Sequence, residues 1–234
     1  MLRLKTALVS SMAAILMAAA WSPANAAVNC ADLVNLKILA SEIGLPSGGA
    51  TITSAQMATV PADPLNPGAT RDYCKVLGEV APIDPNAPPV NFEVNLPADW
   101  NGKAVQYGGG GSNGVLITGL APLRDARRDT PVPVARGFAT WGTDSGHDNK
   151  KLPHPRAFAL NDEALVNMAY ASYKKTHDVG VRIARAFYDR LPAKTYFFGG
   201  SEGGREALMM AQRFPTDFDG IVSVCPWPIT RASI

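Results

Sequence analysis

The sequence predicts an α/β fold built on a mostly parallel sheet with an antiparallel start. Three observations predict it. Toward the C-terminal end, three strand patterns alternate with two amphipathic helical patterns, as parallel strands joined by crossovers do. Those strands are apolar throughout, which is the pattern of strands covered on both faces. Two earlier strands, "VNFEVNL" and "KAVQY", are joined only by the turn "DWNG", which suggests an antiparallel edge.

Residues 1–26 read as a signal peptide removed on export. Arg3 and Lys5 precede an apolar run from Ala7 to Ala20, and "ANA" at Ala24–Ala26 is an A-x-A cleavage site. The run is short for a bilayer span. The expected mature chain, from Ala27, is secreted or periplasmic and long enough for one domain with a sizeable core. The formal net charge of +2 includes Arg3 and Lys5, so the mature chain is close to neutral. No basic stripe appears, which argues against a nucleic-acid partner, and no later run is long enough to anchor in a membrane.

Residues 27–89 form a loop-rich lead-in. "CADLVNLKILA", Cys30 to Ala40, reads as a short amphipathic helix. Prolines crowd the stretch from Pro61 to Pro89, interrupted by "RDYCKVLGEV". An exported chain permits a disulfide, and Cys30 with Cys74 is the expected pair because both lie in this part. Closing a loop of about 45 residues would stabilise by roughly 4 kcal/mol in the chain-entropy model. Cys225, in "GIVSVCPW", is expected to be a buried, inert thiol.

Residues 90–234 carry the sheet. "VNFEVNL" is a strand stopped by Pro97, "KAVQY" a second that runs into Gly108–Gly111, and "GFATWGTD" a third. Leu165, Met168 and the small Ser172, then Val179, Ile183 and Phe187, have helical spacing, with Asn161 or Asp162 available as N-cap. "KTYFFG" is a fourth strand. Glu202–Phe214 is a helix that Pro215 ends, and "FDGIVSVCP" is a fifth strand.

Gly199-Gly200-Ser201-Glu202-Gly203 matches G-x-S-x-G. A nucleophile on a strained strand-to-helix turn needs glycines two residues either side, where side chains would collide. Gly110 to Gly114 matches as well, around Ser112, but only Ser201 lies between an apolar strand and a clear helix. The plain structural reading of Ser201 is a glycine turn packing helix on strand. In the chemical reading, acyl transfer needs two N–H donors for the oxyanion. The N–H of Glu202 is one, and "YGGGGSNG" after an early strand can supply the other. That run also reads as G-x-G-x-x-G at Gly109, Gly111 and Gly114, a dinucleotide fingerprint that would require a helix opening at the third glycine.

A serine nucleophile needs a base. In an α/β-hydrolase the acid and histidine follow the serine, yet His147, His154 and His177 all precede Ser201. Asp217 and Asp219 come one helix after it and read as turn residues. Asp144, His147 and Asp148 gather at a strand end without metal-ligand spacing, so His147 reads as a hydrogen-bonded loop histidine. The chain ends at "PWPITRASI", directly after a strand, and truncation before the remaining catalytic residues is the expectation.

"YFFGGSEGGREALMMAQRFPTDFDGIV" resembles the nucleophile segment of the tannase and feruloyl esterase family. "LPADWNGKAVQYGGGGSNG" and "FATWGTDSGHD" resemble its oxyanion loop and the segment that follows. The resemblance runs from about Cys30 to Pro226. It implies a secreted α/β-hydrolase that cleaves esters of aromatic acids, of feruloyl, galloyl or terephthaloyl type, through an acyl-enzyme. It implies Ser201 as nucleophile, Glu202 and Gly111 as oxyanion donors, and a Cys30–Cys74 disulfide. The family's acid, base and lid, with the lid's calcium, would lie beyond Ile234, leaving no cofactor or metal in this chain. The residue before the serine is a cysteine in the family, bonded to a cysteine beside the catalytic histidine. Here it is Gly200. Cys225 stands where the family usually has a small residue. The other expectation is an inert remnant that at most binds ligand in the cleft.

Overall fold

The structure is a computed structural model that describes residues 28–60, 65 and 71–226. The expected leader, part of the proline-rich stretch and the chain after Pro226 lie outside the described residues. Among the described residues seven strands form one sheet: β1 (Ala50–Thr59), β2 (Asp72–Val80), β3 (Val90–Pro97), β4 (Lys103–Tyr107), β5 (Ala139–Thr143), β6 (Lys194–Gly200) and β7 (Gly220–Val224). Their order is β1-β2-β3-β5-β4-β6-β7. The β1, β2, β3 and β5 neighbours pair antiparallel, and β5, β4, β6 and β7 run parallel. The α/β class and the antiparallel start are therefore both present.

The antiparallel edge is not where the sequence suggested. β3 and β4 do not pair, because β5 lies between them. A short connection allows a hairpin but does not require one. Ala98 to Gly102 can span two strand spacings of about 4.8 Å each at roughly 3.3 Å per residue. Asn101 N–H donates to the Gly137 carbonyl at 2.9 Å, which draws this turn toward the start of β5. The antiparallel part is instead β1-β2-β3. The strand β1 escaped the sequence reading because its register shifts between Ile52 and Ser54, which breaks the alternation of buried and exposed residues.

Cys30 to Ala40 is not one helix either. Two short 3₁₀ segments, Cys30–Asn35 and Ala40–Glu42, flank Ile38. The Ile38 carbonyl accepts from Ala50 N–H at 2.9 Å, and this bridge pulls the backbone into an extended form. A disulfide joins Cys30 to Cys74 on β2, with Cα atoms 5.5 Å apart.

The core that positions the site is a cross-sheet row. Trp141 on β5, Gln106 on β4 and Phe197 on β6 are registered neighbours, all buried. Gln106 is satisfied on both ends: its oxygen accepts from Trp141 Nε1 at 3.0 Å, and its Nε2 donates to the Tyr173 carbonyl at 2.8 Å. Against this face lie α1 (Asp162–Val166), a π turn (Asn167–Ala171), α2 (Ser172–Tyr188) and α3 (Glu202–Arg213). Gly180 on α2 is needed for contact, since a Cβ there would lie 2.6 Å from the Trp141 ring. Tyr173, Phe197, Ala207, Met210 and Phe218 form the cluster where α2, β6 and α3 meet. Fully burying a ring such as Phe197 contributes about 2 kcal/mol.

The long helix starts as expected at Asn161, whose Oδ1 accepts from Ala164 N–H at 2.9 Å. The π turn then leaves carbonyls for other donors. Arg205 takes two of them, Ala169 O at 2.9 Å and Met168 O at 3.0 Å. Both described long helices lie on this face. The opposite face is covered by the 3₁₀ segment Pro133–Arg136, with Tyr73 and Val60. Among the described residues no helix is long and apolar enough to cross a membrane.

Candidate active site

β6 ends at Gly200 and α3 begins at Glu202, so a single residue, Ser201, makes the turn. Its φ is 57° and its ψ −117°, a region that costs an L residue roughly 1–3 kcal/mol. Three bonds hold it there. Ser201 N–H donates to the Val224 carbonyl at 2.9 Å, and the Ser201 carbonyl accepts from Gly204 N–H at 3.0 Å and Arg205 N–H at 3.2 Å. The glycines are steric requirements: a Cβ at Gly199 would overlap the Gly203 carbonyl, and one at Gly203 would lie 2.7 Å from the Gly109 oxygen. Ser201 is half-buried, and its side chain makes no cap bond to the helix. Among the described residues nothing bonds to Ser201 Oγ, which leaves the hydroxyl free for an incoming group.

Glu202 is the first residue of α3, so its N–H has no acceptor within the helix and sits at the positive end of the helix dipole. Its side chain is turned away: Glu202 Oε1 accepts from Arg205 Nε at 2.6 Å. The glycine run reaches the same helix end, with Gly203 N–H donating to the Gly109 carbonyl at 3.1 Å. Gly111, two residues on, has φ 60° and is exposed. Glycine is needed there for conformation rather than space, because a Cβ would meet nothing.

The loop then turns without forming a helix. Gly114 N–H donates to the Asp144 carbonyl at 3.1 Å, and its own carbonyl accepts from Asn149 N–H at 3.0 Å. This overturns the dinucleotide reading of Gly109, Gly111 and Gly114, whose phosphate site is the helix end that Gly114 does not open. Ser112 is an exposed loop residue for the same reason.

Several residues that the sequence reading passed over build the wall behind this loop. Glu206, fully buried on α3, accepts from Gly109 N–H at 2.8 Å, Asn113 Nδ2 at 2.7 Å and Tyr173 Oη at 2.7 Å. Asn113 Nδ2 also meets Ser145 Oγ. Burial pushes the Glu206 carboxyl up to about 7 against the pull of these donors. The available signal was position: Glu206 shares the buried face of α3 with Gly203 and Met210, an acid on an apolar stripe.

None of the three histidines reaches Ser201. His147 is the loop histidine expected, with Nε2 3.1 Å from the Ser112 carbonyl and its ring 4.3 Å from that of Phe158; burial holds its pKa below the ordinary value. Exposed His154 accepts from Arg156 N–H at 3.2 Å. His177 lies on α2 between Trp141 and Phe218. Asp217 pairs with Lys174, and Asp219 accepts from Thr195 N–H and Lys194, as turn residues do. Among the described residues, only His177, Asp178 and Asp217 come together in metal-ligand fashion. They do not fit a calcium ion. Lys174 Nζ already lies 2.8 Å from Asp178 and 2.7 Å from Asp217, supplying the positive charge, and the set lacks an oxygen cage.

One neighbour of the serine differs from expectation, and a second shows what fills the place of the family's cysteine. Cys225 is exposed, not buried, because it lies just past β7 with φ 43° and turns out of the strand. Gly200 leaves room that the Arg124 side chain fills: a Cβ there would be 2.7 Å from Arg124 Cδ.

The model of the family described as tannase and feruloyl esterase matches residues 74–228, which includes the elbow, the glycine run and the wall behind it. The chain belongs to this family. An uncharacterised esterase of Agrobacterium fabrum is 41% identical over 205 residues, which is 88% of this chain and 36% of that protein. Mono(2-hydroxyethyl) terephthalate hydrolase of Piscinibacter sakaiensis is 37% identical over 175 residues, 71% of this chain and 29% of that one. The crystal structure of feruloyl esterase B from Aspergillus oryzae superposes with a TM-score of 0.60 at 25% identity, over 80% of this chain and 36% of its own. The chain thus spans about a third of the length of the relatives it matches.

Proposed function

We propose that this tannase-family chain supplies the nucleophile and the oxyanion hole of an exported serine esterase that cleaves esters of aromatic carboxylic acids. The observation that supports it most is Ser201 itself. A serine held at φ 57° and ψ −117° between β6 and α3, with a hydroxyl that no described residue bonds, is strained, and such strain clusters at functional sites. In this reading Ser201 Oγ attacks the ester carbonyl, and the N–H groups of Glu202 and Gly111 hold the developing oxyanion. Each such donor supplies about 3 kcal/mol to the transition state. The alcohol leaves, and water hydrolyses the acyl-enzyme. The proton passes to a histidine outside this chain, since His147, His154 and His177 are engaged elsewhere. No cofactor takes part in these steps, and the family's lid calcium belongs outside residues 1–234. The leader at 1–26 directs export.

Feruloyl esterase B and mono(2-hydroxyethyl) terephthalate hydrolase, among the relatives, act on aromatic esters by name, which favours that substrate class. A fluorophosphonate probe tests the reading. In a protein that joins this chain to its base, wild type labels and S201A does not. Labelling that persists in S201A defeats it. A second reading rests on the missing base: residues 27–234 alone are inert toward aryl esters, and steady turnover by them would exclude it.

A further inference from the structure

Gly109 is held by both of its backbone polar groups, and both bonds run to α3. Its N–H donates to Glu206 Oε2 at 2.8 Å, and its carbonyl accepts from Gly203 N–H at 3.1 Å. The other carboxylate oxygen, Oε1, accepts from Asn113 Nδ2 and from Tyr173 Oη, each at 2.7 Å. One carboxylate therefore grips the chain on both sides of Gly110-Gly111-Ser112. Packing does not hold those three residues: all are exposed, and a Cβ at Gly110 or Gly111 would touch nothing. Backbone bonds between them are few, with Asn113 N–H to the Gly110 carbonyl closing the turn at 3.0 Å. One side chain reaches into the run, His147 Nε2 at 3.1 Å from the Ser112 carbonyl, so Gly110 and Gly111 are anchored by that contact and by the two ends.

We infer that Glu206 is a positioning residue for the oxyanion loop: its buried carboxylate clamps Gly109 and Asn113 to α3 and so fixes where the Gly111 N–H points. The inference rests on the reading of Gly111 as an oxyanion donor. It explains why an acid, rather than an amide, occupies a fully buried site. Three donors converge on it, and a carboxylate offers only acceptors. A glutamine would turn its NH₂ toward one of them. Glu206 never touches substrate. It acts through the peptide it holds.

The clamp is sensitive to pH. Burial brings the Glu206 carboxyl to about 7, opposed first by the Tyr173 hydroxyl and then by Gly109 N–H. The charged and titratable groups facing it are Tyr173 from α2, and Glu202 and Arg205 from α3 itself. Tyr173 keeps its proton, since burial holds it far above its ordinary value, and Glu202 is paired with Arg205. On protonation the new hydroxyl forms at Oε1, in place of the anionic acceptor that Tyr173 Oη and Asn113 Nδ2 share. Asn113 then loses its anionic acceptor, and one end of the loop loosens.

The test reads the loop directly in the ¹⁵N-labelled full chain by NMR. The Gly109 amide should shift with pH, with a midpoint close to that of Glu206, and E206Q should abolish the titration. Y173F removes one hydrogen bond to the ionised form, so the midpoint should rise by about one unit. E206D is one methylene too short to reach both anchors, and the Gly111 order parameter should fall from about 0.85 to below about 0.6. A Gly109 amide that is flat with pH, one that titrates unchanged in E206Q, or a Gly111 as rigid in E206D as in wild type would each overturn the inference. If E206Q does not fold, an unmoved midpoint in Y173F overturns it. Because this readout needs no ester, failure of Ser201 to label counts against the nucleophile alone.

Discussion

Ser201 N–H donates to the Val224 carbonyl at 2.9 Å, so the last residue of β7 holds the turn that ends β6. The bond keeps a serine in a backbone region that glycine occupies freely. The strain is stored in the native state and released on unfolding. S201G should therefore raise stability by about 1 kcal/mol while removing the proposed nucleophile, the trade between stability and function expected at a strained site. Thermal unfolding of the two proteins measures it, and a lower midpoint for S201G would show that the turn is not strained.

The two glycines before the serine should behave differently. At Gly199 a Cβ runs into the Gly203 carbonyl, backbone that cannot move without unwinding the first turn of α3. G199A should cost about 3 kcal/mol or more, as overpacking against backbone does. At Gly200 the Cβ meets Arg124 Cδ at 2.7 Å, part of a flexible, exposed side chain that can swing aside. G200A should cost less than about 1 kcal/mol. Denaturant midpoints of the two variants decide this, and equal costs would contradict it.

The same contrast shows what was legible in the sequence. The elbow could be read because its constraints are local: a glycine at 199, a strand before it and a helix after it. The strands β4, β5, β6 and β7 were legible for the same reason, each being a short apolar run. Pairing was not. Whether β3 neighbours β4 or β5 depends on Phe92 opposite Thr143 and Gln106 opposite Trp141, contacts between distant residues that no window contains. The wall of the site was hidden likewise, since Glu206 acquires its partners Gly109, Asn113 and Tyr173 only in the folded chain. Cys225 misled because β7, which reads as a buried strand, is half-buried to exposed at the end of the described sheet, and Cys225 lies one residue past it.

The Cys30–Cys74 bridge spans 44 residues and ties the first 3₁₀ segment to β2. Both cysteines are buried within the main core cluster. Reduction, or the C30S/C74S double change, should lower stability by roughly 4 kcal/mol, through the larger freedom of the unfolded chain. Exposed Cys225 contributes no bridge, so C225S should leave the midpoint unchanged. Unfolding with and without reductant checks both, and a C225S chain as destabilised as the double variant would refute the assignment.

Asp144 offers a pH test independent of catalysis. It sits just past β5 and is buried; its Oδ1 accepts from Asn91 N–H at 3.0 Å and Gly146 N–H at 2.9 Å. Desolvation outweighs those bonds and raises its pKa from 3.8 to about 6. The sign follows from the raised value. Below pH 3.8 the group is protonated in both folded and unfolded chains, and its contribution is fully present. As pH rises toward 6 the unfolded chain ionises first, and stability is lost. Above that the loss is complete, at about 3 kcal/mol for a shift of this size. D144N keeps the carbonyl oxygen for Asn91 and Gly146, and its NH₂ faces the Asn91 side-chain amide, which can turn its oxygen to meet it. The stability of D144N minus that of wild type should therefore grow as pH rises from about 4 to about 7, other carboxylates cancelling in the difference. Urea titrations of both proteins across that range measure it. A difference that stays constant would mean that the carboxyl ionises normally in the fold.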